Sequence, residues 1–145
     1  MFLDASAIIA ILSNEPDADS LLTRIEESKG VVAYSPSSLF EAVIGLARRR
    51  TIGRFGPHAP VPVEIFDYAE RIVREFFLNV GAVELSMDGE VGAEALRAAR
   101  DFGRGSGHPA QLNFGDCLAY GCAKAKKLPL LFKGNDFVHT DIQAA

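Results

Sequence analysis

Short apolar runs alternate along the chain with longer stretches whose apolar residues recur at helical spacing. The short runs are typical of buried strands, and they cover Met1–Asp4, Val31–Tyr34, Ala82–Leu85 and Leu128–Phe132. Between them, apolar positions three or four residues apart predict amphipathic helices. Strands and helices that alternate in this way favour a parallel sheet covered on both faces. The pattern therefore predicts a single three-layer α/β/α domain over residues 1–145, with a central, mainly parallel sheet.

Capping residues predict where several of these helices begin. Ser6 is expected to cap the helix after the first strand, and Ser35, followed by a proline, begins the helix after the second. Asp88 and Asn113 are expected to cap two later helices. Thr51–Pro62 contains three prolines and two glycines, so it is predicted to be a loop.

Composition limits the classes of protein that fit. An apolar content of 48% suffices for a core, and two cysteines are too few for a disulfide framework, so we expect both to be buried. No apolar run is long enough to cross a bilayer, and the N-terminus lacks the basic region of a signal peptide, which favours a cytoplasmic protein without membrane contact. The net charge of −4 means that nucleic acid would have to be bound through local basic patches or bound cations.

Four acidic residues are predicted to meet at one edge of the sheet. Asp4 ends the first strand and Asp136 follows the last. Glu41 and Asp116 lie near the starts of helices that lead away from the sheet. In open parallel α/β sheets, sites form beyond the carboxyl ends of the strands, and these acids all belong to that edge.

Each acid also has an ordinary structural interpretation. Asp4 and Asp136 suit turns, Asp116 is spaced to complete a capping arrangement with Asn113, and Glu41 could be an exposed helical residue. Taken together they indicate a site, because Glu41 lies among apolar neighbours and Asp4 interrupts an apolar run.

Such acids, without visible basic partners, would be costly to bury unless a cation neutralised them. Carboxylates alone suit hard ions such as Mg²⁺ or Mn²⁺. These ions lower the pKa of bound water and neutralise charge on a phosphoryl group, which is the chemistry that phosphodiester hydrolysis needs.

Several segments resemble the PIN-domain ribonucleases, and among them the VapC toxins of type II toxin–antitoxin systems. They are Phe2–Ala7, the serine-rich helix start before Glu41, Leu112–Cys117, Leu131–Phe137 and Thr140–Ile142. The resemblance implies a parallel sheet between helices and metal-binding acids at Asp4, Glu41, Asp116 and Asp136. It further implies cleavage of RNA to a 5′-phosphate and a 3′-hydroxyl, a homodimer, and a cognate antitoxin whose tail fills the active-site groove, often with an arginine among the acids.

The resemblance also suggests supporting residues. Asn135 stands where many relatives have a second aspartate, so Asp136 is the expected ligand. Ser6 or Thr140 is expected to hydrogen-bond a ligand carboxylate, and Asp141 to assist the cluster through water.

Arginines are the candidates for contacts with RNA phosphates. They are Arg48 and Arg49, just before the predicted 51–62 loop, Arg54 within it, and Arg104 in a glycine-rich loop. The first three also fit a solvated helix end, where basic residues are favourable. The 51–62 loop is longer than in compact family members, so its part in substrate binding is left open.

Other functions make distinguishable demands on the sequence. A Mg²⁺-dependent phosphatase of the haloacid dehalogenase type would need a second aspartate two residues after Asp4, where this chain has Ser6. A catalytically silent PIN-like module that binds RNA or protein would be indicated by loss of one of the four acids, and all four are present. The sequence therefore favours an Mg²⁺- or Mn²⁺-dependent endoribonuclease.

Overall fold

The computed structural model describes residues 1–145, and at its centre lies a sheet of four parallel strands. The strands are β1 (Phe2–Leu3), β2 (Ala33–Tyr34), β3 (Val83–Glu84) and β4 (Leu130–Leu131), in the spatial order β3-β2-β1-β4. Every pair of neighbours is parallel, and Phe2 of β1 is in register with Ala33 on one side and Leu130 on the other. The predicted parallel sheet is therefore confirmed.

Six helices cover the two faces of this sheet. They are α1 (Ala5–Leu12), α2 (Ala18–Glu26), α3 (Pro36–Phe55), α4 (Val63–Asn79), α5 (Gly89–Phe102) and α6 (Phe114–Ala125). Successive strand residues point to opposite faces, so Leu3 and Leu131 join the core under α1–α4, whereas Phe2 and Leu130 join the core under α5 and α6. The predicted three-layer arrangement is confirmed, since each core lies between the sheet and one layer of helices.

The first helix begins earlier than predicted. Asp4, not Ser6, is the N-cap of α1, because its extended backbone (φ −76°, ψ 151°) lets its Oδ2 accept the Ser6 N–H at 2.9 Å. Ser6 lies inside the first turn. The prediction of a Ser6 cap was wrong, and the acid that follows β1 also starts the helix.

The long helix α3 extends five residues past Arg50 into the predicted 51–62 loop. Thr51 is fully buried, and its hydroxyl donates to the Ala47 carbonyl at 2.8 Å, which keeps this β-branched residue inside the helix. Gly56 then adopts φ 91°, a left-handed conformation open to glycine, and ends the helix. Only residues 56–62 form the connection to α4.

The other predicted caps are confirmed. Ser35, Asp88 and Asn113 each accept backbone N–H groups from the first turn of the helix that follows. Both cysteines are buried and unpaired, as expected. None of the six helices combines the length and the apolar character that crossing a membrane would require.

Candidate active site

Two of the predicted acids follow the neighbouring strands β1 and β4. Asp4 directly follows β1, and its N–H donates to the Leu131 carbonyl of β4 at 3.0 Å. Asp136 lies in the turn-rich segment after β4. Because the two strands are parallel neighbours, both acids belong to the same edge of the sheet.

Asp4 is the most deeply placed of the four acids. Only 5% of the residue is exposed, and Oδ2 accepts both the N–H and the hydroxyl of Ser6. The Ser6 hydroxyl in turn accepts the Lys133 N–H at 3.0 Å. Burial raises the pKa of Asp4 against the lowering effect of the Ser6 hydrogen bonds, and the charge of Asp136 raises it further.

Glu41 approaches this edge from the second turn of α3. Its carboxylate lies against Gly115 of α6, so closely that a Cβ atom at Gly115 would stand 2.3 Å from both Glu41 oxygens. Burial raises the pKa of Glu41, and the charges of Asp4 and Asp116 add to that rise. The absence of a side chain at Gly115 therefore makes room for the third acid.

Asp116 is held in a capping box at the start of α6. Its Oδ2 accepts the Asn113 N–H at 2.7 Å, and the Asn113 amide oxygen accepts the Asp116 N–H at 3.0 Å. The capping arrangement predicted for Asp116 and Asn113 is thus present. Burial nevertheless raises its pKa, as do the charges of Asp4 and Asp136, while the Asn113 hydrogen bond and Arg104 act in the opposite direction.

Neighbouring acids raise the pKa values of Asp4, Glu41 and Asp116, but the four carboxylates do not converge. In residues 1–145, no three histidine, cysteine, aspartate or glutamate side chains are grouped so that they could hold a metal ion. The compact carboxylate cluster that we expected is therefore not formed in this structure. Local contacts hold Asp4 and Asp116 in their caps, Asp136 is exposed, and like charges repel at short range.

Two of the proposed supporting residues have other contacts. The Thr140 hydroxyl donates to the Phe137 carbonyl at 2.8 Å, so it stabilises a turn and not one of the acids. Asp141 accepts the Tyr120 hydroxyl at 2.5 Å and pairs with Lys124 at 2.8 Å. The expected help from Thr140 and Asp141 has no support in these contacts, whereas Ser6 does bond to Asp4.

Two of the four candidate RNA-binding arginines are occupied within the protein. Arg48 donates to the carbonyls of Pro57 and Ala59, and so holds the connection between α3 and α4. Arg49 pairs with Glu15 at 2.5 Å. The sequence pattern did not predict these contacts of Arg48, and a contact of Arg48 or Arg49 with RNA stays a prediction.

The other two arginines are exposed. Arg54 lies at the end of α3, with its guanidinium 5.2 Å from the centre of the Phe55 ring. Arg104 donates through Nε to the Gln111 carbonyl at 3.3 Å, and its charge lowers the pKa of Asp116. Arg104 is thus the candidate whose charge acts on one of the acids, Asp116.

Gly115 is a site residue that sequence reasoning missed. A glycine in the first turn of a helix is unfavourable relative to alanine, and this was the available signal. The need for a glycine at position 115 depends on the packing of α3 against α6, which brings Glu41 next to it although the two residues are far apart in the chain.

Comparison with known proteins identifies the family. The PIN domain family matches residues 1–143. The chain belongs to the PIN-domain family. This PIN domain is 40% identical to a VapC ribonuclease of Rhizobium meliloti over 97% of its own length and 98% of the relative. It is 42% identical to ribonuclease VapC28 of Mycobacterium tuberculosis over 100% of its length and 97% of the relative. The predicted resemblance is confirmed.

A solved structure agrees with the fold of this PIN domain. The crystal structure of VapC20 from Mycobacterium tuberculosis, described as a toxin that cleaves the sarcin–ricin loop, superposes with a TM-score of 0.63. The match covers 99% of this chain and 97% of VapC20, at 14% sequence identity. At that identity the likeness shows the fold, which agrees with the predicted α/β class.

The donors at this edge of the PIN domain suit a hard divalent cation. All are carboxylate oxygens, the kind of ligand that Mg²⁺ and Mn²⁺ prefer. Three of the acids are buried or half-buried, and none of the four takes part in an ion pair within residues 1–145. The residues present therefore fit such an ion in chemistry, although their side chains are not gathered around a common point.

Proposed function

We propose that this PIN domain is a metal-dependent endoribonuclease, the toxin of a toxin–antitoxin pair, which hydrolyses RNA phosphodiester bonds at Asp4, Glu41, Asp116 and Asp136. The observation that carries the proposal is the burial of Asp4 without a basic partner, which raises the pKa of its carboxyl group. The VapC ribonucleases that match nearly the whole chain support the same reaction.

The four acids would hold Mg²⁺ or Mn²⁺ between β1, β4 and the starts of α3 and α6. When bound, such an ion supplies a water of lowered pKa and neutralises charge on the phosphoryl group. Ser6 orients Asp4 by donating to its Oδ2. Gly115 leaves space for the Glu41 carboxylate, and Asn113 holds Asp116 through the capping box.

Exposed arginines would contact the RNA backbone. The proposal assigns this part to Arg104, whose charge reaches Asp116, and to Arg54. Local contacts of this kind are needed because the net charge of −4 gives no general attraction for a polyanion. Because the proposed substrate is cellular RNA, we also propose that the protein acts in the cytoplasm.

Protein partners belong to the proposal as well. Phe40 and Ile44 are exposed on α3, on either side of Glu41 in the chain, and their apolar surface supports docking of a cognate antitoxin beside the site. Phe114, 81% exposed at the start of α6, supports a contact between two copies in a homodimer. Light scattering would test the second point, since Phe114→Ser should then shift the mass from dimer to monomer.

An RNA cleavage assay tests the catalytic proposal directly. Purified protein should cut RNA in the presence of Mg²⁺ or Mn²⁺, leave 5′-phosphate and 3′-hydroxyl ends, and stop on addition of a chelator. Asp4→Asn should abolish cutting, and Asp101→Asn is the matched control because Asp101 is an exposed acid paired with Arg100. Cutting that survives Asp4→Asn or the chelator would refute the assignment.

One observation favours a second candidate function. Because the acids do not form a group that could hold a metal ion, a catalytically silent module that binds RNA or protein is the alternative. Titration with Mn²⁺ separates the two. Measurable Mn²⁺ binding that Asp4→Asn removes supports the nuclease, and RNA binding without either Mn²⁺ binding or cleavage supports the silent module.

A further inference from the structure

Glu15, in the connection between α1 and α2, is the centre of a group of ion pairs. Its carboxylate contacts Arg49 of α3 at 2.5 Å and also the ammonium group of Lys133, which follows β4. Lys133 in turn lies 3.0 Å from Asp17. Only 12% of the Glu15 side chain is exposed, whereas both partners in the Arg71–Glu75 pair of α4 are more than half exposed.

Lys133 connects this group to the candidate active site. The backbone N–H of Lys133 donates to the Ser6 hydroxyl, and that hydroxyl donates to Asp4. Lys133 also begins the segment that leads to Asp136. A single residue therefore joins Glu15 to the two acids at the ends of β1 and β4.

The segment after β4 has few other anchors near Lys133. Its own backbone hydrogen bonds, such as that from Val138 N–H to the Asn135 carbonyl at 3.3 Å, stay within the turn. Phe137, at the end of the segment away from Lys133, is buried and packs on Phe132, and this contact holds that end in place. The near end is secured by Lys133, through its backbone bond to Ser6 and its side-chain pairs.

We propose that Glu15 is a positioning residue that, through Lys133 and Arg49, holds the 133–136 segment, which carries Asp136, and α3, which carries Glu41, in place at the edge of the sheet where Asp4 lies. The proposal rests on the proposed nuclease function. Glu15 touches none of the acids and acts through its two basic partners. Neutralising it would leave Arg49 without its anion and Lys133 paired with Asp17 alone, which would loosen the segment that carries Asp136.

Glu15→Gln tests the proposal, because it removes the charge and keeps the shape. Hydrogen exchange should become faster in residues 133–137. The affinity for Mn²⁺, measured by calorimetry, and kcat should each fall by about 10- to 100-fold, the usual range for residues that orient metal ligands, with little change in KM for RNA. Glu70→Gln is the matched control, since it breaks the exposed pair with Arg74 on α4. It should change none of these quantities.

A double-mutant cycle shows whether Glu15 acts through Lys133. Lys133→Met should lose most of the Mn²⁺ affinity that Glu15→Gln loses, and the double variant should lose no more than Glu15→Gln alone. Lys133→Arg, which keeps the charge, should retain most of it. If Glu15→Gln does not fold, the two Lys133 variants decide, and equal Mn²⁺ affinity in Met and Arg would overturn the proposal.

Several results would refute a positioning role. Unchanged exchange and Mn²⁺ affinity in Glu15→Gln would overturn it, as would a lower thermal midpoint with Mn²⁺ affinity intact in the folded protein. If the wild-type protein neither cuts RNA nor binds Mn²⁺, the proposed function fails. Hydrogen exchange then decides separately: faster exchange at 133–137 supports positioning of the segment by Glu15, and unchanged exchange overturns it.

Discussion

Replacing Gly115 by alanine perturbs the candidate site with almost no demand on the fold. The new methyl group would lie 2.3 Å from both oxygens of Glu41 and 2.5 Å from the carbon between them. Ordinary contacts of a Cβ atom begin near 3.4 Å, so the carboxylate would have to move by about 1.1 Å. Because it ends a flexible side chain, it can do so by rotating away.

Activity and stability should therefore separate in this variant. A displacement of about 1 Å in a positioned group can cost about 100-fold in rate, and we expect a loss of this size in kcat for RNA cleavage. The free energy of unfolding should not fall, since alanine is favoured over glycine in helices by about 0.5–1 kcal/mol.

Parallel measurements of cleavage rate and thermal unfolding check this prediction. Gly53→Ala in α3 is the control, because a Cβ atom there would meet nothing within 4 Å. It should bring a similar gain in stability with unchanged activity. A Gly115→Ala variant that cuts RNA at the wild-type rate would refute the idea that Glu41 must occupy the space beside Gly115.

Four further predictions concern the contacts of the site and its surroundings. Burial raises the pKa of Asp4, so protonated Asp4 contributes to the stability of the metal-free protein at low pH, and this contribution is lost as the pH rises through that pKa. Asp4→Asn should therefore raise the thermal midpoint at pH 8, and this advantage over the wild-type protein should vanish on acidification. An advantage that grows on acidification would contradict this sign. Tyr120→Phe, which removes the hydrogen bond to Asp141, should cost about 1 kcal/mol in chemical denaturation, and Asp141→Asn should leave cleavage intact; inactivity of a folded Asp141→Asn protein would restore a catalytic part for Asp141. Arg104→Ala should raise KM for RNA by about 5- to 10-fold and make KM less sensitive to salt, whereas an unchanged KM would exclude a phosphate contact.

Local patterns in the sequence were enough to predict the layers and most helix starts. The alternation of short apolar runs and amphipathic stretches specifies a parallel sheet between helices, and caps such as Ser35 and Asn113 depend only on the residues that follow them. The same locality explains why Asp4 and Asp136 could be assigned to one edge. Each follows a strand, and the carboxyl ends of neighbouring parallel strands lie together.

Contacts between distant segments decided everything else. The sequence could not show that Glu41 lies against Gly115 or that Glu15 pairs with Lys133. It also could not show that the four acids do not form a compact cluster. Each of these facts depends on distances between residues that are far apart in the chain. Even helix limits changed where burial mattered, as at Thr51. Periodicity and capping are properties of neighbouring residues, whereas close approach and desolvation arise only when helices and strands pack against each other.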